Sequence, residues 1–117
     1  MYELTSPKAK FSKKEFSQPS RIADLIDYQE GAVVSKTLVD KKSGTITLFA
    51  FDKNQGLSEH KAPYDVLIQL LDGEAQVTVA DKLFVLRTGE SIVLPANSLH
   101  ALRAFQRFKM LLVMIKS

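Results

Sequence analysis

From Gly31 to the end of the chain, short apolar and β-branched runs alternate with turn signals. The runs are Ala32–Val39, Thr45–Phe51, Val66–Leu71, Ala75–Val79, Leu83–Leu86, Ser91–Leu94, Ala101–Phe105 and Phe108–Ile115. Between them stand Asp40-Lys41-Lys42-Ser43-Gly44, a loop from Asp52 to Gly56, Asp72-Gly73, Ala80-Asp81-Lys82, Thr88-Gly89 and Pro95-Ala96-Asn97. Runs this short cannot each bury a face alone. They must pair as antiparallel strands and curl into a sandwich or barrel, so residues 31–117 are predicted to be one all-β domain.

Residues 1–30 read differently. Pro7, Pro19 and scattered Ser, Thr and Gln residues show neither strand nor helix period. An irregular arm lying along the barrel is expected, with one helical turn in Ser20–Ile26, Ser20 as its N-cap, and Ile22, Leu25 and Ile26 on one face. Lys8, Lys10, Lys13 and Lys14 account for the net charge of +3 and read as a solvated leader. No helix-turn-helix pattern or basic–aromatic interleaving accompanies them, so no nucleic-acid partner is expected. The chain has no cysteine, which removes thiolate metal sites and a cysteine nucleophile. No apolar run reaches membrane-spanning or signal-peptide length, so a cytoplasmic protein without a membrane partner is the expectation.

Val66–Leu71 and Met110–Ile115 are apolar on both faces, Gln69 excepted. One face can point into the barrel. The other needs cover, from a second sheet or a partner subunit, and a homodimer packed sheet to sheet is expected.

Two stretches carry the only histidines: Gly56–Gly73 (GLSEHKAPYDVLIQLLDG) and Gly89–His100 (GESIVLPANSLH). In the second, Gly89 is followed after five residues by Pro95, then by Asn97 and His100. This resembles the second motif of the cupins, with Asn97 where the family has glycine and Ala104 in place of the final asparagine. Asn is the next most tolerant residue for positive φ. In the first, His60, the Pro63-Tyr64-Asp65 bend and Gly73 follow the family's first motif, whose opening glycine falls on Asn54. The resemblance implies a double-stranded β-helix, or jelly-roll barrel. It also implies a metal centre of two histidines, a glutamate and a third histidine. Here the matching positions are His60, Ala62, Val66 and His100, so half of the donor set is replaced by apolar side chains.

Strand parity gives the same picture. Val66, Ile68 and Leu70 share one face, and His100, Leu102 and Ala104 share another. The expected pocket wall is thus Ala62, Val66, Ile68, Leu102 and Ala104 with two imidazoles in it. Phe49, Phe51, Met110 and Met114 either line that cavity or fill the core. His60 and His100 are the candidate ligands of a weakly held divalent transition metal. Asp65 is the least excluded third donor, because Glu59 and Gln69 have the wrong parity. Three functions are open: a small-molecule-binding cupin, an enzyme, or a dimeric scaffold with a vestigial site. The enzyme is either dioxygenase-like, with a metal, or a metal-free isomerase or epimerase. In the latter, His60 or His100 is the general base, with Asp65 or Tyr64 nearby.

Overall fold

Alternation along each strand decides which residues enter the barrel, and the register between strands decides which of them meet. The computed structural model describes residues 8–10 and 17–116. The strands are β1 (Lys8–Lys10), β2 (Val33–Lys41), β3 (Gly44–Phe51), β4 (Gly56–His60), β5 (Asp65–Val79), β6 (Lys82–Arg87), β7 (Ser91–Leu94), β8 (His100–Arg103) and β9 (Phe108–Ile115). One sheet runs β1-β2-β3-β9-β5-β7 and the other β6-β5-β8-β4, all antiparallel except β1 against β2. β5 belongs to both sheets and closes them into a jelly-roll barrel.

The expected turn at Asp72-Gly73 is not a turn. β5 runs unbroken through it, with a bulge between Leu70 and Asp72. Val66, Ile68 and Leu70 are buried before the bulge, and Ala75 and Val77 after it. The inward positions thus change from even to odd numbers, as one inserted residue requires. Leu71 is the residue turned outward. Gly73 has a φ of 82°, and a Cβ there would lie 2.2 Å from the Arg107 carbonyl oxygen, so only glycine lets β9 approach. An Asp-Gly pair between apolar runs has the composition of a hairpin turn. Only the parity of its flanks distinguishes a bulge.

The barrel interior is packed by Phe49, Phe51, Val66, Ile68, Leu70, Val77, Leu94, Phe108, Met110, Leu112 and Met114, all nearly inaccessible. Phe51 and Phe108 stack with centroids 4.5 Å apart. Each such side chain stabilises the fold by roughly 1.5–3 kcal/mol through the apolar surface it removes from water. Phe105, at the other end of the turn before β9, is 49% exposed, so the two phenylalanines flanking that turn are not equivalent.

The outer face of the first sheet is covered in part by the chain itself. A 3-10 helix, Ile22–Leu25, lays Ile22, Leu25 and Ile26 over Val34, Leu48, Ala50, Leu71 and Leu111. The three isoleucine and leucine residues share a face as expected. Ser20 is not the cap; Arg21 occupies that position and makes no side-chain capping bond. Tyr28 fixes the arm: its hydroxyl donates to Asp72 Oδ2 at 2.5 Å, and Arg107 and Lys109 lie 5.0 and 5.1 Å from its ring centroid. Arg107 Nε also donates to Asp52 Oδ1 at 2.7 Å, while the Gly31 amide donates to Asp52 Oδ2 at 2.7 Å. These bonds, the guanidinium's first, hold the Asp52 carboxyl down at about 2. The arm expected to be irregular thus includes a docked segment and the short strand β1. The solvated-leader reading for Lys13 and Lys14 falls outside the described residues.

Candidate functional site

His60 and His100 are direct cross-strand partners in the β4–β8 ladder. A register shift between Leu57 and His60 turns both Leu57 and His60 toward the barrel although they are an odd number of residues apart. The two rings meet edge to face, with centroids 4.3 Å apart and planes at 73°. His60 Nδ1 donates to the Ser58 carbonyl at 2.6 Å, and His100 Nδ1 donates to the Ser98 carbonyl at 3.2 Å. A carbonyl can only accept, so each neutral ring carries its proton on Nδ1 and presents Nε2 as an acceptor. His60 Nε2 is itself buried, and His100 is 2% exposed. Burial lowers the His100 pKa from its ordinary value, and the neighbouring His60 lowers it further, against a smaller opposing effect of the Ser98 bond.

Two hydrogen bonds stitch the histidine-bearing stretches together. The Asn97 amide donates to the Ala62 carbonyl at 2.8 Å, and the Ala96 amide donates to Asp65 Oδ1 at 2.9 Å. Asp65 is exposed, on the opposite parity from buried Val66, and its carboxylate is engaged in this turn contact. That is a positioning role. Glu59 is exposed, as its parity predicts. Tyr64 is half-buried against the barrel core.

The residues expected to form the pocket wall are all buried. Ala62 and Val66 are each 1% exposed, and Ile68, Leu102 and Ala104 are buried in the barrel. Phe49 and Phe51 belong to the same packed cluster, 6.1 Å apart between centroids. β4 itself has no counterpart among the predicted strands. Leu57 is its one apolar residue, so periodicity has nothing to detect. Sequence reasoning also misses the carbonyls of Ser58 and Ser98. Any residue supplies a backbone carbonyl, so no side chain marks these positions.

A resident metal needs at least three protein donors for a catalytic centre and usually four for a structural one. Among the described residues no three His, Cys, Asp or Glu side chains converge. Ala62 and Val66, at the positions where the family resemblance implies the other donors, are buried. Two imidazoles in an apolar wall do not fit the four-donor centre.

The cupin domain model matches residues 47–115. A cupin superfamily protein from Desulfitobacterium hafniense DCB-2 is 32% identical, with a TM-score of 0.82 over 86% of this chain and 92% of that one. A conserved protein of unknown function from Streptococcus pyogenes is 28% identical, with a TM-score of 0.83 over 100% of this chain and 96% of that one. A cupin 2 conserved barrel domain protein from Leptotrichia buccalis is 46% identical over 80% of this chain and 46% of that one, with a TM-score of 0.78. Among curated proteins, none matches. The family match spans more than half of the sequence and falls on the strands that form the barrel; the chain belongs to the cupin family.

Proposed function

We propose that the protein binds a small organic molecule in its barrel, against the Nε2 atoms of His60 and His100, without a resident metal. The histidine pair carries this reading: two rings, each oriented through Nδ1 by a backbone carbonyl, 4.3 Å apart, in a wall that is otherwise apolar. A second feature supports it. Ser35 is 1% exposed, lies in register with interior Phe49, and its hydroxyl finds no partner among the described residues. An unpartnered buried hydroxyl is costly unless something in the barrel satisfies it. The ligand is an uncharged molecule with an apolar body and hydroxyl or N–H donors, because a neutral imidazole accepts a hydrogen bond and does not neutralise an anion.

Thermal shift of the full chain against neutral hydroxylated and N–H-bearing metabolites tests this. Stabilisation follows RT ln(1 + [L]/Kd) and disappears in His100→Ala and His60→Ala. A ligand that stabilises wild type and both variants equally lies elsewhere, and the barrel reading fails. Turnover of a bound ligand, lost in either variant, would extend the reading to acid–base catalysis.

We also propose that two copies pair through the outer face of the first sheet. Val39, Ile46, Val113, Leu67 and Val93 stand in one cross-strand row over five strands. The docked arm covers other residues of this face, and Val39, Leu67 and Val93 remain 39%, 38% and 58% exposed. A row of large apolar side chains on a sheet face calls for a matching row, and a second copy supplies one. Sedimentation of wild type at micromolar concentration is expected to give a dimer and Leu67→Lys a monomer. A monomeric wild type overturns the pairing.

A further inference from the structure

The outward face of β4, β8 and the C-terminal part of β5 holds a groove of about 430 Å³. It lies behind the histidines, on the solvent side of the strands whose inward residues Leu57, Leu102 and Val77 pack the barrel. Two register rows build it. Val85, Gln76, Arg103 and Gly56 form one, and Leu83, Thr78 and Ala101 the other. The hollow arises where side chains are missing. Ala101 contributes a methyl group, and Gly56 nothing. A Cβ at Gly56 would lie 2.4 Å from the Leu102 carbonyl oxygen, so the position must stay bare.

The chemistry of the lining is not that of an ordinary solvated sheet face. A quarter of the chain is charged, yet of the ten residues around the groove only Arg103 is. The rest of its polar surface is amide and hydroxyl: Asn54, Gln55 and Gln76, with Ser58 and Thr78. Amides and hydroxyls both donate and accept, which suits a ligand carrying several hydroxyl groups. Arg103 forms no ion pair among the described residues, and its guanidinium lies 5.1 Å from the Phe105 ring centroid. A planar guanidinium matches a carboxylate in a two-pronged geometry. One such cation, with no second base in the lining, suits a single negative charge better than a phosphate dianion. At the rim, Leu83, Val85 and Phe105 are 59%, 43% and 49% exposed, and can pack on C–H faces. The volume falls within the range of sites for small molecules.

We infer that this groove is a second binding site, separate from the barrel interior, for a small polyhydroxylated monocarboxylate such as a sugar acid. Arg103 holds the carboxylate, and Gln76, Thr78 and Ser58 bind the hydroxyls.

Amide chemical-shift titration of the full 15N-labelled chain with D-gluconate tests it, with D-glucose as the neutral twin. Gluconate is expected to move the amides of β4, β8 and residues 76–78, and glucose to bind much more weakly. Arg103→Gln should weaken gluconate roughly tenfold, the size of a lost charge-assisted hydrogen bond, and leave glucose unchanged. Ala101→Phe, which fills the hollow from the outside, should abolish binding, whereas His100→Ala should leave it intact. Equal binding of glucose and gluconate, indifference to Arg103→Gln, or the absence of gluconate shifts in wild type overturns the proposal. Inorganic phosphate binding more tightly than gluconate overturns the ligand class. Loss of gluconate binding in His100→Ala would place the anion in the barrel and overturn the second site, whereas failure of the barrel reading leaves these outcomes untouched.

Discussion

Gly56–Gly73 and Gly89–His100 bring one histidine each to the same place by different means. In the second stretch a turn does the work. Asn97 adopts a φ of 66°, and the Ser98 amide closes the turn on the Pro95 carbonyl. In the first, a bulged edge strand delivers His60, and the bulge near Gly73 sets which residues of β5 face inward. Each stretch keeps the residues that shape its backbone. Only the first has apolar residues at positions where the family resemblance implies ligands. Backbone geometry and ligand set are therefore separable: replacing donors with Ala62 and Val66 leaves a buried, packed wall, whereas the bulge and the turn each demand particular residues.

The strongest way to break this comparison is to restore the donors. Ala62→His with Val66→Glu should raise affinity for nickel or zinc by orders of magnitude, read by isothermal titration. Unchanged metal binding in a folded double variant would mean that these positions do not face the histidine pair. The next effect is on stability. Gly73 and Gly89 have nearly the same φ, 82° and 88°, but a Cβ at Gly73 meets the Arg107 carbonyl while one at Gly89 meets nothing within 4 Å. In urea, Gly73→Ala should lose about 3 kcal/mol or more and Gly89→Ala only about 1 kcal/mol. Equal losses would show that backbone conformation alone, and not β9's close approach, requires glycine at the bulge.

Asn97 sharpens the same point. Asn97→Ala should cost about 1 kcal/mol, and Asn97→Gly should be nearly neutral, since only the left-handed conformation is at stake. A large loss in Asn97→Gly would assign the side chain a role of its own. The smallest effect expected is in pH dependence. His100 has a folded pKa below its ordinary 6.5, so on acidification the unfolded chain takes up this proton first. Its contribution is fully present above pH 6.5 and is lost as pH falls from there through the lower folded value. Denaturation midpoints should therefore fall more steeply below pH 6.5 in wild type than in His100→Asn. Identical profiles would mean that His100 is solvated.

Much of the barrel was legible because its signals are local. Eight apolar runs, the Pro95–Asn97 turn and the parity of His100, Leu102 and Ala104 all follow from side-chain alternation over a few residues. β4 was not legible, having little apolar periodicity. The bulge in β5 has the sequence of a turn, because Asp-Gly suits both. Asp65 stands as a third donor only by default; its bond to the Ala96 amide joins residues 31 positions apart, and no spacing rule reaches that far.

By itself, the sequence determined the class of fold, the family, and the loss of two donors at Ala62 and Val66. Side-chain type and period are enough for the fold class; the family and the two replaced donors rest on the resemblance to the cupin motifs. Tertiary structure alone decided that His60 and His100 touch, which nitrogens they present, and that the arm closes over the first sheet. It also decided that the back of the histidine-bearing strands is hollow. These depend on register between strands distant in the chain, where one bulged residue exchanges the inside of a sheet for its outside.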